Sequence, residues 1–144
     1  MADKSTKELV TDDSILAALS GLDEDASTIG DTRISMVGCF RAFNELAREF
    51  PQDFPNLFFS QRSGIPYSKE LENTLFQLGA WRLIEDSNPD YRYFTVTKET
   101  RKLIREELKK YYGGEEELRK RFSPIAKRFQ EVLQRFEKIE SVSV

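Results

Sequence analysis

From Leu118 to Ile139 apolar residues recur at spacings of four and three: Leu118, Phe122, Ile125, Phe129, Val132, Phe136 and Ile139. That period places all seven on one seam of a helix, with three phenylalanines in successive heptads, and a lone helix could not show such a stripe to water. Any fold of this chain must therefore cover one long apolar seam. Ser123 before Pro124 reads as an N-cap followed by proline at the first helical position, so two helical pieces meeting there are expected. Self-association through the seam is the expected way of covering it, with Phe122, Phe129, Val132 and Phe136 as the partner-binding side chains of a homodimer. The alternative is that the seam folds back on the chain's own helices.

The rest of the 144 residues support one domain with appended parts. Asp12 or Asp13 can cap a short helix carrying Ile15, Leu16, Leu19 and Leu22 and ending near Gly21. The acidic stretch from Asp23 to Asp31 reads as a linker. From Ile34 to Phe50, the positions Met36, Phe40, Phe43, Ala47 and Phe50 define one side of a helix, with Cys39 at its edge. Pro51 and Pro55 stop that helix, and the chain to Pro66 reads as irregular, with at most a short strand or turn at Leu57 to Ser60.

Ser68 looks like the N-cap of a helix of about thirteen residues whose stripe is Leu71, Leu75, Leu78 and Trp81. Leu83 and Ile84, the turn residues from Ser87 to Asp90, and the run from Arg92 to Thr97 together suggest a hairpin. Thr97 can cap a helix carrying Leu103, Ile104, Leu108 and Tyr111, which Gly113 and Gly114 end. The resulting expectation is an α+β, mainly helical chain: an acidic arm with a short helix over 1–32, a central domain over 33–113 and a C-terminal helix and tail over 114–144.

Composition narrows the chemistry. Histidine is absent and Cys39 is the only cysteine, which removes histidine acid–base catalysis, intrachain disulfides and nearly every zinc site. Cys39 is expected to be a buried structural thiol rather than a reactive one. The acidic runs Asp23–Asp25 and Glu115–Glu117 read as linker charge and a solvated helix start rather than paired catalytic carboxylates. The Gly113–Gly114 pair reads as helix termination rather than a phosphate loop. No catalytic residue, metal ligand or cofactor is expected. With no long apolar run and a charged first decapeptide, the chain is expected to be cytoplasmic and free of any membrane.

Charge is uneven. The net value is −3, yet residues 1–32 hold eight acidic and two basic residues, leaving the remainder mildly basic. That balance is compatible with weak nucleic-acid binding and falls short of a strong basic excess.

Gly64, then Pro66-Tyr67-Ser68, the Leu71–Leu75–Leu78 stripe, Leu83-Ile84 and finally Phe94-Thr95-Val96-Thr97 together resemble winged-helix domains. The resemblance is nearest to the Panacea-type antitoxin-associated domains, and it covers about a quarter of the chain. The long C-terminal seam is similar, more loosely, to that of the phenolic-acid-repressor (PadR) regulators. The sequence departs from the pattern where Ile65 is inserted, where Arg82 stands in place of a glycine ending the helix, and at Thr100.

The resemblance implies a regulator whose helix from Ser68 to Trp81 lies in a DNA major groove. Lys69, Asn73 and Gln77 would then meet base edges or phosphates, and Arg62 and Arg92 would lie beside the backbone. Glu70 and Glu72 oppose that use, and an outward Phe76 is unusual on a groove-reading face. The competing expectation is therefore a protein-interaction module, antitoxin-like or adaptor, that docks through Phe76 and the C-terminal helix. The tyrosines could stack bases, although core packing is their commoner use.

Overall fold

The computed structural model describes residues 6–20, 32–80 and 93–142, which form five helices and four short strands. In chain order these are α1 (Thr6–Leu19), β1 (Thr32–Ser35), α2 (Met36–Glu49), β2 (Ser60–Arg62), β3 (Ile65–Tyr67), α3 (Lys69–Ala80), β4 (Tyr93–Val96), α4 (Lys98–Tyr112) and α5 (Glu115–Val142). The chain is mainly helical, with two small antiparallel sheets. No helix among the described residues is long and apolar enough to cross a membrane.

The core is organised around α5. Leu118, Phe122, Ile125, Phe129 and Val132 are all buried, and α5 packs against α1, α2 and α4 of the same chain. This corrects the expected dimer seam. Phe129 is 0% exposed, so neither it nor Phe122 nor Val132 can meet a partner. The physical reason is that α1, α2 and α4 of the same chain all converge on the seam and fill it. Phe43 of α2 meets Phe129 at 4.9 Å between ring centroids, and Tyr112 of α4 meets Phe122 edge-on at 5.0 Å. Each such ring contributes about 1.5–3 kcal/mol on burial. Phe136 is half-buried and lies under the guanidinium groups of Arg41 and Arg135, 5.4 and 5.2 Å from its centroid. The side chain of Ile139 lies outside the described residues.

Helix α5 is also unbroken, where a joint at Pro124 was expected. Pro124 lies inside the helix and is exposed. Proline removes one backbone hydrogen bond, at about 3 kcal/mol in a helix interior. Burial of Phe122, Ile125 and Ala126 on either side outweighs that loss, and Ser123 therefore does not act as a cap.

Helix α1 starts at Thr6, well before the expected caps Asp12 and Asp13, and belongs to the core rather than to an appended arm: Ile15, Ala18 and Leu19 are buried. The two aspartates serve as tethers between helices. The Thr74 hydroxyl of α3 donates to Asp12 Oδ1 at 3.3 Å, and the Tyr112 hydroxyl of α4 donates to Asp13 Oδ2 at 2.6 Å. Tertiary donors took the carboxylates that capping would have used.

Ile34 lies on β1 rather than in the following helix. Ser35 is the N-cap instead, in extended geometry, its Oγ accepting from the Gly38 N–H at 3.1 Å. The buried face of α2 is centred on Cys39, Ala42, Phe43 and Leu46, with Phe40 beside them, while Met36, Ala47 and Phe50 are only half-buried. Cys39 thus moves from the edge of the expected stripe to its middle. A Cβ on Gly38 would come 3.2 Å from Leu133 Cδ1, so glycine sets the close approach of α2 to α5.

Strand β4 pairs antiparallel with β1, from Thr32 opposite Val96 to Ser35 opposite Tyr93. The expected partner strand at Leu83-Ile84, the turn beyond it, Trp81, Arg82 and Arg92 lie outside the described residues, as does the side chain of Leu78. In α4 the cap at Thr97 and the left-handed Gly113 terminus are as expected. The apolar face is not: Ile104 and Leu108 are buried with Thr100, Arg101 and Arg105, whereas Leu103 and Tyr111 are 57% and 79% exposed. Tyr112 enters the core in place of Tyr111, which turns the helix by one residue.

Candidate recognition surface on helix α3

The segment before α3 is not irregular. Ser60–Arg62 and Ile65–Tyr67 form a hairpin in which Arg62 opposes Ile65, leaving a two-residue turn. Ser63 and Gly64 have φ of 54° and 79°, the left-handed pair that a type I′ turn requires. The Ser-Gly dipeptide between two short extended runs was the signal for it.

Ser68 caps α3 as expected, its Oγ accepting from the Leu71 N–H at 3.2 Å. Leu71 and Leu75 fill the core beneath, and Thr74 holds the flank of α3 to α1 through Asp12. Because these residues fix the rotation of the helix, the opposite arc faces outward. Lys69, Glu72, Asn73, Phe76 and Gln77 are all exposed on it, and Phe76 is 78% exposed. The row from Lys69 to Gln77 spans about 12 Å of helix axis. The four α3 residues singled out from the sequence thus lie on one surface.

One of the two carboxylates that opposed a nucleic-acid reading is engaged by hydrogen bonds within the chain. Glu70 is half-buried, and its Oε1 accepts from the Phe58 N–H at 3.2 Å and from the Ser68 hydroxyl at 3.4 Å. Glu72 is exposed; burial first, and then the nearby Glu72 carboxylate, push the Tyr67 phenol above its usual range. Arg62 is exposed at the hairpin tip, its guanidinium 3.7 Å from the centroid of the Tyr67 ring, and that ring also stacks on Phe40 at 5.8 Å. Phe58, 65% exposed just before β2, is a surface aromatic that periodicity could not flag, since it lies outside any helix or strand.

Of the remaining expected site residues, Phe122, Phe129 and Val132 are in the core, Phe136 lies at the edge of the α2–α5 contact, and Arg92 is outside the described residues. Cys39 is fully buried, and burial pushes its thiol far above the ordinary cysteine range, away from nucleophilic use. Among the described residues no group of three or more histidine, cysteine, aspartate or glutamate side chains could hold a metal ion. Comparison with protein-family models, with curated proteins and with solved structures finds no match to this chain.

Proposed function

We propose that the protein is a non-catalytic winged-helix regulator that presents the outward face of α3 to the major groove of duplex DNA. The observation that carries this reading is the row Lys69, Asn73 and Gln77, exposed along one face of a helix whose first-turn Glu70 is tied back to Phe58 and Ser68. Lysine suits a phosphate or guanine, and asparagine and glutamine match the adenine edge with two hydrogen bonds. About 12 Å of helix meets roughly three to four base pairs at 3.4 Å each.

The order of elements supports the same reading. A strand between the first two helices, β1, pairs with the strand that follows the candidate recognition helix, β4, as a winged-helix arrangement requires. Helices α4 and α5 then form the appended part. Titration of a labelled duplex by fluorescence anisotropy tests the proposal. Binding should weaken linearly with the logarithm of salt concentration, with a slope of only about −2 to −4, because few basic groups face this surface. Absence of salt-dependent binding at 50 mM salt and tens of micromolar protein would reject it.

One observation favours a second reading, a protein-docking surface. Phe76 stands in the middle of the arc at 78% exposure, where water gains nothing from it and an apolar pocket on a partner would. The two readings separate on variants: Phe76→Ala should abolish a protein contact, whereas Lys69→Ala should chiefly weaken a DNA contact.

A further inference from the structure

The β2–β3 hairpin is built onto α3 as a rigid neighbour. Its base is tied to the first turn of α3 where the Phe58 N–H donates to Glu70, and its last residue, Tyr67, leads directly into the Ser68 cap of that helix. Its apex is fixed by two left-handed residues, Ser63 and Gly64. Nothing lies within 4 Å of where a Cβ on Gly64 would stand, so the glycine serves the turn and not packing. Every side chain of β2 is exposed, and Arg62 among them holds its guanidinium carbon over the Tyr67 ring, 3.7 Å from the centroid. A stacked guanidinium keeps its N–H edges pointing away from the ring, ready for a planar or tetrahedral oxyanion, and it loses little further freedom on binding.

The hairpin runs directly into the first turn of α3 through Tyr67 and Ser68 and is tied to that turn at Glu70. An element placed beside a helix lying in a groove meets the sugar-phosphate strand that borders the groove rather than the base edges. Serine hydroxyls at positions 60 and 63, the amide of Gln61 and the Arg62 guanidinium are the donors it offers, with no carboxylate of its own.

We propose that this hairpin is a second contact to the phosphate backbone of duplex DNA, with Arg62 as the phosphate ligand and Tyr67 as the residue that positions it. The inference rests on the reading of α3 given above and adds a contact to the phosphate strand that borders the groove.

The test is the full chain and its variants titrated against a labelled mixed-sequence duplex of two to three helical turns, over a series of salt concentrations. Arg62→Ala is an exposed change and should leave the thermal midpoint in place. It should weaken binding several-fold for any sequence and reduce the steepness of the salt dependence by about 0.9. Arg62→Lys keeps the charge without the planar stack, so it should retain the wild-type slope and bind more weakly. Tyr67→Phe, which keeps the ring, should bind like the wild type, and Tyr67→Leu like Arg62→Lys. DNA binding by the wild type with an unchanged slope in Arg62→Ala would overturn the hairpin contact while leaving the α3 reading standing. Wild-type affinity in Arg62→Lys would overturn the positioning role of Tyr67, a result that does not depend on Tyr67→Leu folding. A wild-type chain with no salt-dependent binding would overturn both.

Discussion

At the scale of the residue, the two groups whose ionisation the fold perturbs most clearly both act structurally. Tyr112 donates to Asp13 at 2.6 Å across a separation of 99 residues, and burial and that carboxylate both raise its pKa. A raised phenol pKa means that the folded state favours the protonated form. The stabilisation is therefore complete below the ordinary phenol value of about 10 and is lost as pH rises through the higher folded value. Tyr112→Phe should lower stability by about 1–2 kcal/mol at neutral pH. The difference between wild type and variant should shrink above pH 10, as urea denaturation across that range would show. Cys39 makes the complementary prediction. Its thiol, buried among α2 and its neighbours, should react with an aromatic disulfide reagent only as fast as the chain opens, and rapid labelling of the native protein would contradict its placement.

At the scale of the element, Pro124 and the Ser63–Gly64 turn show where local signals and tertiary structure part company. Proline inside α5 is retained against its local preference, so Pro124→Ala should raise stability by about 1–3 kcal/mol, less the unfolded-chain entropy that proline removes. The hairpin turn obeys its local rule. Gly64→Ala puts a Cβ at φ 79° and should cost about 1 kcal/mol, whereas Ser63→Asn should be neutral or stabilising. Denaturant midpoints of the three variants check both expectations.

The caps at Ser68 and Thr97 and the stop at Gly113 were legible because each is a short-range device whose meaning does not depend on the rest of the chain, whereas the seam of α5 was legible as an apolar stripe but not in what covers it. The rotation of α2 and α4 was not, because it depends on which neighbour supplies the core. Burial of Arg101 and Arg105 in place of Leu103 has no counterpart in a periodicity of apolar residues. The same limit applies to the candidate site. The outward row of α3 could be read from helical spacing, but the capture of Glu70 by the Phe58 N–H is a tertiary contact that spacing does not carry.

At the scale of the whole molecule, one helix organises the fold and another faces outward. Because α5 closes the core within a single chain, Phe129→Ala should cost about 3–5 kcal/mol through the cavity it leaves. The denaturation midpoint of the wild type should not depend on protein concentration, as it would if this seam joined two subunits. With the seam occupied, the exposed arc of α3 and the hairpin beside it carry the functional claim. Amide chemical-shift mapping of the isotope-labelled chain during titration with duplex DNA at low salt tests that claim most directly. The account predicts that the perturbed amides cluster at residues 61–64 and 69–77, fade together as salt is raised, and spare the buried faces of α2 and α5. Perturbations confined to α4 and α5, or none at saturating duplex, would contradict it.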